Sequence, residues 1–220
     1  MRIEKRTLKG SPFVGVFACV TEEIGLFPFE MQKKEIKKME EFFGINAIQT
    51  SIAGSSLIGA LSKGNSKGFV LPEIAEREEV EMLEKKGIKV KVVKGVNALG
   101  NLIALNDFGI VLSPLIPERT VKEIISFYAL PYSISRIART EIVGSCVVAT
   151  NRGMIVHPNT TADELKQAEK VLKVKGAVTT ANYGDPFIAN DVLANSRAAV
   201  VGEQTSPFEM LRIDEGLGNE

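Results

Sequence analysis

The chain has 220 residues, 45% of them apolar, and its 27 basic and 27 acidic side chains cancel. A zero net charge excludes the global basic field that nucleic acid would attract. No apolar run reaches the roughly 20 residues of a membrane span, and Met1-Arg2-Ile3-Glu4-Lys5-Arg6 lacks a signal-peptide core, so a cytosolic protein is expected. Its two cysteines, Cys19 and Cys146, lie in apolar strand patterns and read as buried small hydrophobes, not as a disulfide or metal pair.

Residues 3–8 read as a first strand. Val14-Gly15-Val16-Phe17-Ala18 then runs through Thr21-Glu22-Glu23 to Pro28, and the same phrase recurs four times. Its clearest copy is 98–114, where two apolar strands flank Asn106-Asp107-Phe108-Gly109 and a proline ends the second. With Gly15, Gly59, Gly100, Gly144 and Ala189 as markers, the steps are 44, 41, 44 and 45 residues. Such a period means a repeat architecture in which each unit needs its neighbours to cover its apolar face. A single domain of five units is expected, at about 1–52, 53–94, 95–138, 139–180 and 181–220.

A helix follows each strand pair. The first spans 31–43, with Ile36, Met39, Phe42 and Phe43 on one side. The second, 76–86, has the thinner stripe Val80 and Leu83. The third, opened by Pro117-Glu118, carries Val121, Ile124, Ile125 and Tyr128 at helical spacing. The fourth is capped by Thr160 or Thr161 and buries Leu165, Ala168 and Leu172. The fifth opens with Ser206-Pro207-Phe208-Glu209, a cap, an N1 proline and a capping-box carboxylate. Closing strands are expected at 45–51, 88–93, 132–137 and 174–179, four for five units. Residues 3–8 would supply the fifth and close the ring. The expected fold is therefore α/β, a five-fold pseudosymmetric propeller of strand–strand–helix–strand repeats with helices outside and leading strands nearest the axis. Gly68, Gly109 and Gly153 occupy a turn slot that Ala198 fills in the last unit. If the slot demands φ > 0, Ala198 needs a different turn.

Several runs carry a family likeness over the whole chain. They are Ser51-Ile52-Ala53-Gly54-Ser55-Ser56-Leu57-Ile58-Gly59, Ala98-Leu99-Gly100-Asn101 with Asn106-Asp107, Val143-Gly144-Ser145 with Val156-His157-Pro158, and Val201-Gly202 with Ser206-Pro207-Phe208-Glu209. In these the chain resembles the archaeal and eukaryotic translation initiation factor 6 family. The resemblance implies a pentein-type ring that binds the large ribosomal subunit on its intersubunit face, keeps the small subunit from joining and serves subunit maturation. It implies a monomer with no cofactor, no DNA and no membrane partner. The chain stops soon after the fifth helix, so the long regulatory tail of eukaryotic members is expected to be absent.

Catalytic chemistry is weakly supported. His157, the single histidine, and Cys146 share one unit, and pentein enzymes that modify guanidino groups use Cys, His and carboxylates at the ring centre. A hydrolase or transferase using Cys146 and His157 is the rival reading. Cys146 has no basic sequence neighbour to lower its pKa, however. Gly59–Asn65 has phosphate-loop glycines but Asn where the lysine belongs. No histidine, cysteine or carboxylate cluster offers a metal shell. Two lysine clusters, Lys33, Lys34, Lys37 and Lys38, then Lys85, Lys86, Lys89, Lys91 and Lys94, read as solvated helix faces. With no Trp and no aromatic–basic interleaving, docking onto ribosomal protein is expected before contact with ribosomal RNA. The residue after each marker, Val16, Ala60, Asn101, Ser145 and Asn190, forms a circle near one end of the axis. Asn101 is expected on the docking face, with Ser55, Ser56, Asn65 and Asn106 beside it.

Overall fold

The structure, a computed structural model, describes residues 1–218. After β1 (Arg2–Arg6), the first unit runs α1 (Val14–Phe17), β2 (Cys19–Val20), β3 (Ile24–Pro28), α2 (Lys33–Phe43) and β4 (Asn46–Thr50). The second runs α3 (Ile58–Leu61), β5 (Lys63–Asn65), β6 (Gly68–Pro72), α4 (Arg77–Lys85) and β7 (Val90–Val93). The third has α5 (Leu99–Leu102), β8 (Ile103–Leu105), β9 (Ile110–Leu112), α6 (Glu118–Tyr128) and β10 (Tyr132–Ile134). The fourth has α7 (Val143–Cys146), β11 (Val147–Ala149), β12 (Gly153–Val156), α8 (Ala162–Leu172) and β13 (Lys175–Val178). The fifth has a 3-10 turn at Ile188–Asn190, then β14 (Val192–Ala194), β15 (Ala198–Gly202) and α9 (Pro207–Leu217).

Each unit holds a three-stranded sheet whose inner strand is antiparallel to the middle one and whose outer strand is parallel to it. In the fifth sheet the outer place belongs to β1, which pairs with β15 from Arg2 opposite Ala198 to Arg6 opposite Gly202. Inner strands touch their neighbours around the ring, and β14 returns to β2. The apolar cores lie in the seams. One joins Leu193, Ala198 and Val200 of the fifth unit to Phe27, Met39 and Phe43 of the first. Another joins Val70 and Val93 of the second to Ile103, Ile124 and Tyr128 of the third. A unit alone would leave half a core exposed, so the five form one body.

The markers do not begin strands, as the sequence suggested. They sit in one-turn helices, each entered through a residue near φ −80° and ψ 50–60°, before the inner strand starts. Their glycines are explained by proximity. A Cβ on Gly59 would lie 1.9 Å from the Gly15 carbonyl oxygen, and on Gly100 1.7 Å from that of Gly59. On Gly144 it would lie 2.1 Å from the Gly100 oxygen, and on Gly15 1.9 Å from the Ala189 oxygen. Short helices thus stack carbonyl to glycine around the ring. The fifth marker, Ala189, carries a Cβ, and there the turn is 3-10.

The turn slot also works differently from the expectation. Gly68 has φ +150°, but Gly109, Gly153 and Ala198 do not take positive φ, so Ala198 is unstrained. Its turn matches that at Gly109. Asn195 Oδ1 accepts from Arg197 N and Ala198 N, and Asn106 Oδ1 accepts from Phe108 N and Gly109 N. Glycine is needed for room, since a Cβ on Gly109 would meet the Val171 carbonyl oxygen at 1.9 Å and one on Gly153 that of Gly216 at 2.2 Å.

Candidate binding site: the central channel and its two mouths

The inner strands surround a central cavity of about 70 Å³. Chain direction assigns its two ends. Short helices and the loops before them form one mouth, and the turns between inner and middle strands form the other.

The turn mouth is fastened by its own side chains. Thr21, Asn65, Asn106, Thr150 and Asn195 stand at the head of the five turns, and each side-chain oxygen accepts a backbone N–H two residues on. The asparagines also reach sideways: Asn65 Nδ2 donates to Asn106 O, Asn106 Nδ2 to Thr150 O and Leu172 O, and Asn195 Nδ2 to Phe43 O. A second belt runs Ser66–Asp107–Asn151–Ser196–Glu22. Ser66 N and Oγ donate to Asp107, Asn151 Nδ2 donates to Asp107 Oδ2, Asn151 N donates to Ser196 Oγ, and Ser196 Oγ donates to Glu22. Asn65 and Asn106 are therefore buried, 5% exposed each, with their amides used inside the ring. Asn106 closes β8 and Asn101 precedes it, so the two lie at opposite ends of one strand, not side by side as expected.

The short-helix mouth is lined by the circle Val16, Ala60, Asn101, Ser145 and Asn190. Asn101 is half-buried, and among the described residues nothing hydrogen-bonds its amide. Ser55 and Ser56 lie in the preceding loop at this end: Ser55 Oγ accepts from Leu57 N and Ser56 Oγ from Lys9 Nζ. The same loops bear exposed apolar side chains. Phe13, Leu57 and Tyr183 precede short helices, and Phe29, Ile74 and Leu115 follow the middle strands, with Phe29 69% and Tyr183 86% exposed. Phe208, at the start of α9, joins them, so seven of the eleven exposed large apolar residues among the described residues lie at one end. Phe108 alone among them marks the turn mouth.

Cys146 and His157 do not form a catalytic pair. Their link is between backbones, His157 N donating to Cys146 O. Burial, with Glu164 nearby, pushes the Cys146 thiol up to about 12, so it is a thiol and not a thiolate at neutral pH. Burial lowers His157 despite Asp185 and Glu164. Its Nδ1 accepts from Asn159 N while its ring packs edge-on to Phe187. Among the described residues no group of three or more His, Cys, Asp or Glu could hold a metal ion.

Sequence reasoning passed over Lys63. It opens β5, lines the cavity, and occupies the repeat position filled by Cys19, Ala104, Val148 and Leu193 elsewhere. Aligning the units would have flagged one charge among four small or apolar residues.

Five units around a polar-mouthed channel, with an apolar rim at one end, define a five-fold pseudosymmetric α/β ring. The family model described as the eIF-6 family matches residues 3–216, and the chain belongs to that family. It is a translation initiation factor by that membership. Translation initiation factor 6 of Methanocaldococcus jannaschii is 37% identical over 98% of both chains. That of Pyrococcus horikoshii is 35% identical over 99% of both, and that of Haloquadratum walsbyi 34% identical over 97% of this chain and 96% of its own. Among solved structures, DDAH from Pseudomonas aeruginosa in complex with citrulline is similar over 94% of this chain and 73% of its own. Its identity is 16% and its TM-score 0.45, too distant to carry chemistry across.

Proposed function

We propose that the ring docks on the large ribosomal subunit through its short-helix end and, while bound, keeps the small subunit from joining. The same occupancy serves subunit maturation. The carrying observation is the collection of Phe13, Phe29, Leu57, Ile74, Leu115, Tyr183 and Phe208 at that end, around the uncommitted amide of Asn101. Exposed apolar side chains crowded on one face are the mark of a protein-binding surface. The glycine-stacked helices beneath keep this face ordered before the partner arrives. Zero net charge, the absence of Trp and the lack of aromatic–basic interleaving in the sequence favour ribosomal protein over RNA as the main contact, on a cytoplasmic, monomeric, non-catalytic factor.

Cosedimentation with purified large subunits, small subunits serving as control, tests the reading together with a subunit-joining assay. The chain should pellet with large subunits alone and slow joining. Binding to neither subunit overturns it. Asn101→Ala should weaken binding by roughly 1–2 kcal/mol with the melting temperature unchanged. Phe29→Asp and Leu115→Asp should weaken it further.

A further inference from the structure

The family's docking role leaves the cavity itself unused. Lys63 brings an amine, cationic when protonated, to its wall. Among the described residues its ammonium has neither a hydrogen-bond nor an ion-pair partner. An enclosed cation without a counter-charge is costly, and proteins answer by pairing it or neutralising it. The other charges on the wall, Glu22 and Asp107, are at the turn mouth and spent: Glu22 accepts from Ser196 N and Oγ, Asp107 from Ser66 N and Oγ and from Asn151 Nδ2. At the other end, the Ser145 hydroxyl and the amides of Asn101 and Asn190 line the cavity with no protein partner, which leaves their donors free. The half of the cavity toward the short helices therefore presents one unpaired ammonium, three free donors and no carboxylate, a lining complementary to negative charge, with Glu22 and Asp107 set apart at the turn mouth. The cavity, about 70 Å³, restricts the guest to a few atoms.

We propose that the central cavity is a binding site for a small inorganic anion, chloride or phosphate in size, held by the Lys63 ammonium and the free donors of the short-helix mouth. Burial lowers the pKa of Lys63, and a bound anion would oppose that by favouring the charged form. Cys19 is also on the cavity wall, and burial raises its thiol, so it stays neutral and does not compete as the counter-ion.

The test is thermal unfolding of the full chain at pH 7 in rising sodium chloride or sodium phosphate. Ionic strength is held constant with sodium gluconate, whose anion is too large to enter. A ligand of the folded state raises the melting temperature with its concentration. The wild type should show a saturating rise, with the chloride and phosphate arms revealing which ion is preferred. Lys63→Met should weaken the fitted affinity at least tenfold, and Ser145→Ala, which keeps the charge, several-fold. An equal anion response in wild type and Lys63→Met, or none in the wild type, overturns the proposal. Should Lys63→Met not fold, the wild type still decides: bromide-soaked crystals must show an anomalous peak within hydrogen-bond distance of Lys63 Nζ, and an empty cavity refutes the site.

Discussion

At the scale of single residues, buried polar groups separate into those fully satisfied, such as Asn106, and those with an unpaired atom, such as Asp191. Asn106 accepts two backbone N–H groups and donates to two carbonyls of the fourth unit, Thr150 O and Leu172 O. Asn106→Ala would orphan those partners and should cost about 3 kcal/mol, read as a lower denaturant midpoint, the opposite signature to Asn101→Ala. Asp191 is fully buried, with Oδ1 accepting from Asn182 Nδ2 and Oδ2 unpartnered. Burial, with Asp185 and Glu209 nearby, raises its carboxyl to about 8. In the unfolded chain it titrates near 4, so the folded state alone keeps the proton between about pH 4 and pH 8. Stability therefore falls as pH rises across that window, by an amount on the order of several kcal/mol. Asp191→Asn should flatten this slope and be the more stable protein at pH 7.5, as calorimetry across pH would reveal. Sequence marks Asn106 and Asp191 alike as polar residues beside apolar runs. Asn106 Nδ2 meets carbonyls 44 and 66 residues on, while Asp191 meets Asn182 nine residues back and leaves one oxygen unpaired, a difference that no local pattern carries.

At the scale of elements, one device recurs in three units. The N3 glutamates of α4, α8 and α9, Glu79, Glu164 and Glu209, reach back to the helix start and to two N–H groups of the loop before the short helix. Those loops contain positive-φ residues Ala53, Ala138, Arg139 and Tyr183, which the carboxylate holds in place. Burial works to raise each carboxyl, and the hydrogen bonds outweigh it, so all three titrate below the ordinary range. Depressed folded values mean stability that is present above about pH 4.5 and lost as pH drops through them. Glu209→Gln should cost about 2 kcal/mol at pH 7 and less at pH 3, with urea unfolding at both pH values as the check. The capping box at Ser206 and Glu209 was legible because it is local in sequence; the second grip on Tyr183 and Gly184 spans 26 and 25 residues and was not. Likewise, apolar periodicity placed the long helices well, since 3.6-residue spacing is a local signal. It took the short helices for strands because a four-residue apolar run fits either period. Gly100→Ala, pushing a Cβ against the Gly59 carbonyl, should cost about 3 kcal/mol, whereas Ala189→Gly should be nearly neutral.

At the scale of the molecule, the 44-residue period revealed the ring before any element was assigned, and the count of closing strands raised the question that β1 answers. Its bonding to β15 makes the fifth sheet a joint product of both ends of the sequence, reinforced by the Met1 amino group on Asp214 Oδ1 at 2.6 Å. Deleting residues 1–6 should leave β15 with an open edge, lower the melting temperature by at least 10 °C and bring on aggregation, measured by light scattering during the melt. The arrangement also sets a schedule for the newborn chain. Strand β1 leaves the synthesising machinery nearly 200 residues ahead of its partner β15. At the ordinary pace of about 5–20 residues per second, that is a wait of roughly 10–40 s. Until then the first four units can stack only as an open arc, with the seam between the last and first units unfilled. A chain whose first strand completes its last sheet thus cannot close its ring until the fifth unit has been made.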